Sequence, residues 1–232
     1  MRIKIGLAIV ALIGFAGLSQ ADQTKQDVTQ RLQSATTVLH NLTNVPEKGI
    51  PDEVLKSAKC IAVVPDLIKG GFIIAGKHGR GVATCKLANG SWSAPSFFVM
   101  SGGSWGAQIG AESIDLVMLV MTNEGMRHLM SSKFQIGGSA SAALGPIGRD
   151  ASAGTDWKVN TDFLTYSRSK GLFAGIDLGG SVVQHDDDST LALYGKDLST
   201  QSILDGHVAA PAAAHSFLAE VRQSRMSARA HS

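Results

Sequence analysis

Apolar residues recur at steps of three and four through residues 22–42, a spacing that predicts one buried face of an amphipathic helix. The members of this stripe are Val28, Leu32, Ala35, Val38, Leu39 and Leu42. Pro46 and Pro51 end the pattern, and a short second helix is predicted over residues 52–59. The chain is therefore expected to open with helices.

Short apolar runs separated by glycine pairs follow from residue 60 to about residue 121, which is typical of strands joined by tight turns. Further strands are predicted over residues 163–167, 172–178, 181–184 and 190–193, and further helices over residues 122–131 and 210–225. Because no regular helices alternate with the strands, a parallel βαβ sheet is disfavoured. We expect an α+β fold whose largely antiparallel sheet is strongly curved or barrel-like, with an N-terminal amphipathic helix and a C-terminal helix.

The N-terminus resembles a secretory signal. Arg2 and Lys4 precede an apolar run over residues 5–18, and small residues follow at the position that a signal peptidase reads. An uncleaved anchor is the alternative. We expect export to the periplasm or cell envelope, and four segments: a signal peptide (1–21), a helical segment (22–58), a domain core (59–206) and a C-terminal helix with a frayed tail (207–232).

Charge argues against nucleic-acid binding. Removal of Arg2 and Lys4 would leave 19 basic and 19 acidic residues, so the exported chain would be formally neutral. A neutral surface does not capture DNA or RNA in bulk, and zinc-finger spacings and aromatic RNA-binding motifs are missing from the sequence. We predict no cofactor and no metal site.

The chain contains two cysteines, Cys60 and Cys85, both within strand-like stretches. An even pair in an exported protein favours a disulfide, and neighbouring strands could align the two thiols. Two buried free thiols are the alternative.

Residues 102–106 spell Gly-Gly-Ser-Trp-Gly, which fits the G-x-S-x-G pattern of a serine-hydrolase nucleophile elbow. Such an elbow needs a helix directly after Ser104, yet Gly106 and Gly110 disfavour one there. We therefore assign Ser104 no catalytic role and expect a non-enzyme. The repeated glycines are better explained as bends in a curved sheet.

A collinear series of glycine-rich motifs runs along the chain. The series comprises Lys69-Gly70-Gly71, His78-Gly79-Arg80-Gly81-Val82, residues 90–96, residues 102–104, residues 108–111, Asp115-Leu116-Val117, residues 145–149, residues 166–175 and Tyr194-Gly195. The series resembles the SYLF lipid-binding domain family over roughly residues 54–206. The resemblance implies binding rather than catalysis, because eukaryotic SYLF domains are associated with phosphoinositides, membranes and actin. This chain carries no SH3 or FYVE module beside the motifs, so the particular ligand does not transfer.

The resemblance also implies that the N-terminal helix could contact lipid. The charges of Asp22, Lys25, Asp27 and Arg31 cancel, and no large aromatic residue lies on the apolar stripe. Core packing of the stripe is the favoured interpretation.

The candidate lipid or phosphate site consists of two clusters. The first contains Lys69, Gly70, Gly71, Lys77, His78 and Arg80, and the second contains Arg149, Arg168 and Lys170. Cationic side chains and accessible glycine amides are the groups that bind phosphate. Ordinary solvated surface charge is the alternative for each cluster.

Two other features have ordinary explanations. Trp92 could stack on a ligand, but a core or rim position is favoured. Residues 184–188 offer carboxylates for a divalent cation, but they lack the order of a calcium loop, so a polar hairpin tip is favoured.

The function predicted from the sequence is non-enzymatic binding of anionic lipid or another amphiphile at a membrane surface, through a local basic, glycine-rich surface. The rivals are an interaction module for an envelope protein partner without a lipid site, and a serine hydrolase that uses Ser104.

Overall fold

The structure is a computed structural model that describes residues 15–44, 49–71, 74–105, 110–147, 161–173 and 175–230. Its helices are α1 (Phe15–Thr43), α2 (Asp52–Ser57), α3 (Asn123–Met130), α4 (Asp187–Tyr194), α5 (Thr200–Leu204) and α6 (His215–Ala230). Its strands are β1 (Cys60–Gly71), β2 (Ile74–Cys85), β3 (Ser96–Trp105), β4 (Gly110–Val120), β5 (Lys133–Gln135), β6 (Ala142–Leu144), β7 (Phe163–Ser169), β8 (Leu172–Phe173) and β9 (Val182–His185).

The strands form one sheet in the order β5-β9-β3-β2-β1-β4-β7-β6, with β8 paired to β7. All pairings are antiparallel except that of β6 with β7. The sheet curls strongly into a half-barrel. The predicted α+β class, with a curved sheet and helices at both termini, is confirmed.

Helices cover part of the outer face of this sheet. The predicted apolar stripe of α1 is buried there, together with residues of α2 and α6. The sheet residues of this cluster are Ile61, Val63, Val82, Phe97, Val117, Leu119, Leu164 and Tyr166. Core packing of the α1 stripe is therefore confirmed, and Trp92 lies in the same cluster with the Arg225 guanidinium over its ring.

The inner face of the half-barrel carries a second apolar core. Alternate residues of the central strands point inward, and α3 and α5 add Leu129 and Leu204. Phe134 of β5 stacks on Phe163 of β7 with 5.4 Å between ring centroids, so the two sides of the curled sheet meet across this core.

A bulge in β1 divides the outer face. The pairing register shifts between Val64 and Leu67, and Asp66 there adopts a positive φ of 52°. On one side of the bulge lies the covered half, which packs against α1, α2 and α6 as described above. On the other side lies the open half, whose outward residues include Ile68, His78, Ser101 and Ser113, all exposed.

Cys60 and Cys85 are direct cross-strand partners of β1 and β2 and form a disulfide. The predicted pairing is confirmed. The bond joins the ends of β1 and β2 that lie at the covered half.

Two strand predictions are wrong. Residues 190–193 belong to helix α4, because Asp186 caps its first turn by accepting a hydrogen bond from the Ser189 N–H. Among the described residues of 172–178, which exclude residue 174, Leu172 and Phe173 form a strand, and Ile176 and Leu178 fill the inner core from an irregular segment.

Helix α1 begins at Phe15, earlier than the predicted start at residue 22. Within the described residues, no helix combines the length and the apolar character that crossing a bilayer requires.

Candidate functional site

Strand alternation divides the first predicted cluster between the two faces of the sheet. His78 and Arg80 share the outer face with Val82, whereas Lys77 points inward beside its cross-strand partner Gly102. The six predicted residues of this cluster therefore do not form one surface.

Lys77 is withdrawn from solvent, which corrects its predicted phosphate-binding role. Its side chain is buried, and its ammonium donates a hydrogen bond to the Asp177 carbonyl. Burial lowers the pKa of Lys77, with a smaller contribution from the nearby charge of Lys69, while Asp177 opposes the shift. The sequence held the necessary signal, because Lys77 is in phase with the buried Ala83 and Cys85 of the same strand.

Lys69 lies half-buried at the inner edge of the sheet. Its cross-strand partners are Lys77 and Glu112, so it shares the inward phase of Lys77. The Glu112 carboxylate accepts a hydrogen bond from the Ser169 hydroxyl at 2.5 Å. This part of the predicted cluster is a mixed-charge rim of the half-barrel rather than an outward basic patch.

Gly70 and Gly71 belong to β1, which is paired with β2 on one side and β4 on the other. Their amides therefore face neighbouring strands, and the predicted phosphate cradle of free glycine N–H groups does not form. Gly70 instead contributes to a strip without side chains, because its partner Gly76 is in turn paired with Gly103. A Cβ added at Gly76 or Gly103 would meet no atom within 4 Å, so the strip is open to approach.

The open half has a definite order of residues across its strands. One row runs from Ser113 through Ile68 and His78 to Ser101, with Ile68 54% exposed in spite of its apolar side chain. The glycine strip, which consists of Gly70, Gly76 and Gly103, is the next row on the same face, two residues further along each strand and away from the covered half. This surface combines an exposed aliphatic side chain, a histidine and bare backbone.

Arg80 lies at the border between the open and covered halves. Its side chain is 46% exposed, and its Nε lies 3.8 Å from the Asp186 carboxylate. The same carboxylate accepts a hydrogen bond at 3.0 Å from Arg31 of α1, whose side chain is 7% exposed. Arg80 is thus the solvent-facing member of a three-residue ion cluster.

The sequence pattern predicted a polar hairpin tip over residues 184–188 and did not reveal the role of Asp186. In the structure, β9 ends at His185 and Asp186 caps α4. Burial opposes ionisation of Asp186, but hydrogen bonds from Ser189 and the charge of Arg31 outweigh it and lower the pKa. Burial also lowers the pKa of Arg31, against the attraction of Asp186. The Arg31 guanidinium additionally lies 5.6 Å from the centroid of the Phe97 ring. The helix-cap spacing from Asp186 to Ser189 is the signal that could have identified this position.

The second predicted cluster is described in part, because Arg149 lies outside the described residues. Arg168 of β7 is half-buried and pairs in register with Asp115 of β4 on the outer face. Partial burial raises the pKa of Asp115, and the hydrogen bond from the Asp66 N–H and the charge of Arg168 offset this only in part. Lys170 is not part of this cross-strand pair and is exposed at the turn between β7 and β8.

Ser104, the candidate nucleophile of the sequence motif, belongs to a strand. Ser104 lies within β3, opposite Ala75 of β2, and the next described element is strand β4 rather than a helix. A strand–turn–helix arrangement is therefore missing among the described residues around Ser104.

Residues 184–188 do not gather ligands for a cation. The described part of the chain contains no cluster of three or more His, Cys, Asp or Glu side chains arranged to hold a metal ion. The His185 imidazole is instead engaged by the Thr200 hydroxyl at 2.6 Å and the Phe97 carbonyl at 3.1 Å.

Comparison with known proteins identifies similar chains. Residues 101–224 match the family described as "Ysc84: Las17-binding protein actin regulator". The SH3 domain-containing protein PJ696.02 of Schizosaccharomyces pombe is 39% identical over 171 residues, which are 72% of this chain and 40% of that protein. Protein YSC84 of Saccharomyces cerevisiae is 36% identical over 175 residues, which are 74% of this chain and 37% of that protein.

A human relative, SH3 domain-containing YSC84-like protein 1, is 31% identical over 188 residues, which are 78% of this chain and 55% of that protein. The chain thus spans about two fifths of the length of the two yeast relatives and about half of the human one. The family match over residues 101–224 includes β4 of the open half but begins after β1 and β2.

Proposed function

This chain belongs to the Ysc84 family of SYLF-domain proteins, and we propose that it is a non-enzymatic binding protein whose open half attaches to an anionic lipid surface. The family description names binding and regulation rather than a reaction.

The uncovered outer face of the sheet is the observation that carries this proposal. Helices bury the covered half completely, whereas the open half presents Ile68, His78 and the Gly70–Gly76–Gly103 strip to solvent. Arg80 and Arg168 stand at its borders. An aliphatic side chain flanked by cations on a flat backbone surface suits a bilayer interface, where apolar contact and headgroup charge act together.

We further propose that the protein works outside the reducing cytoplasm, in the periplasm or cell envelope. The signal-like N-terminus and the Cys60–Cys85 disulfide support this location, because structural disulfides persist mainly in oxidising compartments. Alkaline-phosphatase and cytoplasmic reporter fusions test it, and activity of only the cytoplasmic reporter would contradict export.

Vesicle co-sedimentation tests lipid binding. The double variant Arg168→Gln/Lys170→Gln removes two cations at the border of the open half. It should bind vesicles of equimolar phosphatidylcholine and phosphatidylglycerol about tenfold or more weakly, since each cation near an anionic bilayer contributes about 1 kcal/mol. Lys196→Gln/Arg222→Gln removes the same charge from exposed positions elsewhere and serves as the matched control.

Equal losses in the two double variants would attribute binding to net charge and would contradict a role for the open half. Failure of the unaltered protein to bind these vesicles at low salt would contradict lipid binding altogether.

A protein partner is the second candidate, and the names of the relatives favour it. Two relatives from Saccharomyces cerevisiae are named LAS seventeen-binding protein 3. The open half also carries Asp66 and Asp115 beside its cations, a mixed pattern that a complementary protein surface could match. Capture of a protein from envelope extracts that Arg168→Gln/Lys170→Gln abolishes, with vesicles unbound, would support this function over the first.

A further inference from the structure

The β7–β8 turn is a small hairpin next to Arg168, at the border of the open half. Ser169 and Leu172 are cross-strand partners, so only Lys170 and Gly171 form the loop. Their φ angles are both positive, at 48° and 85°, as the two central residues of a type I′ turn require. Two-residue turns of this kind fix the strand direction, so the side chains at the tip have defined positions.

Lys170 is an unexpected residue at this position. Asparagine and glycine tolerate a positive φ, whereas a lysine side chain rarely adopts it. The conformation is therefore held by the surrounding hairpin, and it places an exposed ammonium at the tip. A cation at a backbone position that lysine rarely adopts points to a role for its charge.

Leu172 is the most exposed of the large apolar side chains described, at 75%. It stands next to the turn, while its neighbour Phe173 packs against the helix-side core and anchors the short strand. An isolated exposed leucine is common on proteins, but this one lies beside Lys170 at a two-residue turn. Leu172 shares the inward phase of its partner Ser169, so its side chain and that of Arg168 lie on opposite faces of the hairpin.

The base of the hairpin is fixed to β4. The Ser169 hydroxyl donates to the Glu112 carboxylate at 2.5 Å, and Arg168 pairs in register with Asp115. The Arg168 guanidinium also extends to the turn, because a Cβ added at Gly171 would lie 3.5 Å from its Nη2. The two acidic groups are thus engaged at the base, and the tip itself carries positive charge and an aliphatic side chain.

We infer that this hairpin tip is an insertion element for an anionic bilayer, with Leu172 entering the acyl boundary and Lys170 and Arg168 meeting lipid phosphates. The inference rests on the proposed function, which it makes specific to one turn. Charge complementarity and the exposed leucine select this occupant, because an aqueous anion would give no reason for the apolar side chain.

An environment-sensitive fluorophore at the tip tests the insertion directly. Leu172→Cys labelled with NBD should show a blue shift and an intensity increase on addition of equimolar phosphatidylcholine–phosphatidylglycerol vesicles, and not with phosphatidylcholine alone. Leu191→Cys is the matched control, because Leu191 is a 52% exposed leucine on α4. The native cysteines are paired, so the label attaches only at the introduced thiol.

Two further variants test whether the charge of Lys170 and the apolar side chain of Leu172 affect vesicle binding independently of protein stability. Lys170→Asn removes the charge while suiting the turn, and should weaken vesicle binding about fivefold with an unchanged or higher Tm. Leu172→Ser should weaken binding about tenfold or more, whereas Leu191→Ser should not change it.

The outcomes distinguish this inference from the function on which it rests. Vesicle binding with no spectral change at position 172, or with equal changes at positions 172 and 191, would overturn the insertion element while lipid binding stood. Absence of vesicle binding by the unaltered protein would overturn both. Loss of a captured protein partner in Leu172→Ser, without vesicle binding, would assign the tip to a protein interface and overturn the lipid assignment.

Discussion

The covered and open halves of the outer sheet face are built from the same central strands but differ in the burial of their side chains. β2 passes from buried Val82, beneath the helices, to exposed His78 and bare Gly76 within seven residues. The covered half has a buried ion pair and continuous apolar packing, and a disulfide on the inner face joins the ends of its strands β1 and β2. The open half has exposed side chains and glycines. The difference indicates that apolar packing is concentrated in one half, which leaves the other half available for the proposed lipid contact.

The boundary between the halves has a local physical cause. The bulge between Val64 and Leu67 changes the register of β1, and Gly79 of β2 accommodates it, since a Cβ at Gly79 would lie 2.7 Å from Val64 Cγ1. Bulges increase local twist and bend a strand. The sheet therefore turns away from the helices at this line.

The largest effect is expected from Arg31→Ala in the covered half. The substitution leaves Asp186 buried without its buried charged partner, which should reduce the free energy of unfolding by about 3–5 kcal/mol in urea denaturation. Arg80→Ala is the control, because that side chain is half exposed and 3.8 Å from the carboxylate, and it should cost at most about 1 kcal/mol. Equal effects of the two substitutions would contradict a buried pair as the anchor of α1.

The same pair predicts a pH dependence. The pKa of Asp186 is lower in the folded protein than its ordinary value, so its stabilising contribution is present above the ordinary carboxyl pKa. The contribution is lost as the pH falls through the lowered pKa. Asp186→Asn should therefore flatten the acid side of the stability profile, and an unchanged acid slope in urea titrations at several pH values would contradict this assignment.

Loss of the disulfide is expected to have the next largest effect. Cys60→Ala/Cys85→Ala should lower the free energy of unfolding by about 3 kcal/mol, because the bond closes a loop across 25 residues of sequence separation. Vesicle binding by the folded fraction should be unchanged, since the bond lies at the covered half. A variant of full stability, or one folded but unable to bind, would show that the halves are not separable in this way.

Two glycines of β2 give a smaller and more selective comparison. A Cβ at Gly81 would lie 2.2 Å from the Phe98 ring, so Gly81→Ala should destabilise the protein by about 1–3 kcal/mol. A Cβ at Gly76 would meet nothing within 4 Å, so Gly76→Ala should be neutral or stabilise by up to about 1 kcal/mol. Thermal unfolding measures the stability of both variants. Similar losses of stability would contradict the predicted difference between the two parts of β2.

The sequence predicted the architecture better than the site. The α1 stripe, the cysteine pair and most strands follow from local periodicity and spacing, which tertiary contacts reinforce here. Lys77 was misplaced because the cluster was read as a linear motif, without the alternation that sends it inward beside Ala83. Asp186 was missed because its buried charged partner, Arg31, is 155 residues away in sequence, and such pairings leave no local pattern. The strand predicted over residues 190–193 failed for the related reason that a helix cap overrode local β propensity.

The most direct test of the open half as the binding face uses three histidines that the chain already contains. His78 lies in the open half, whereas His207 and His215 are exposed elsewhere. Diethyl pyrocarbonate modification of each, read by mass spectrometry, should fall at His78 when anionic vesicles are added and remain constant at His207 and His215. Unchanged modification of His78 on vesicle-bound protein, or selective protection of His215, would contradict the assignment of binding to the open half.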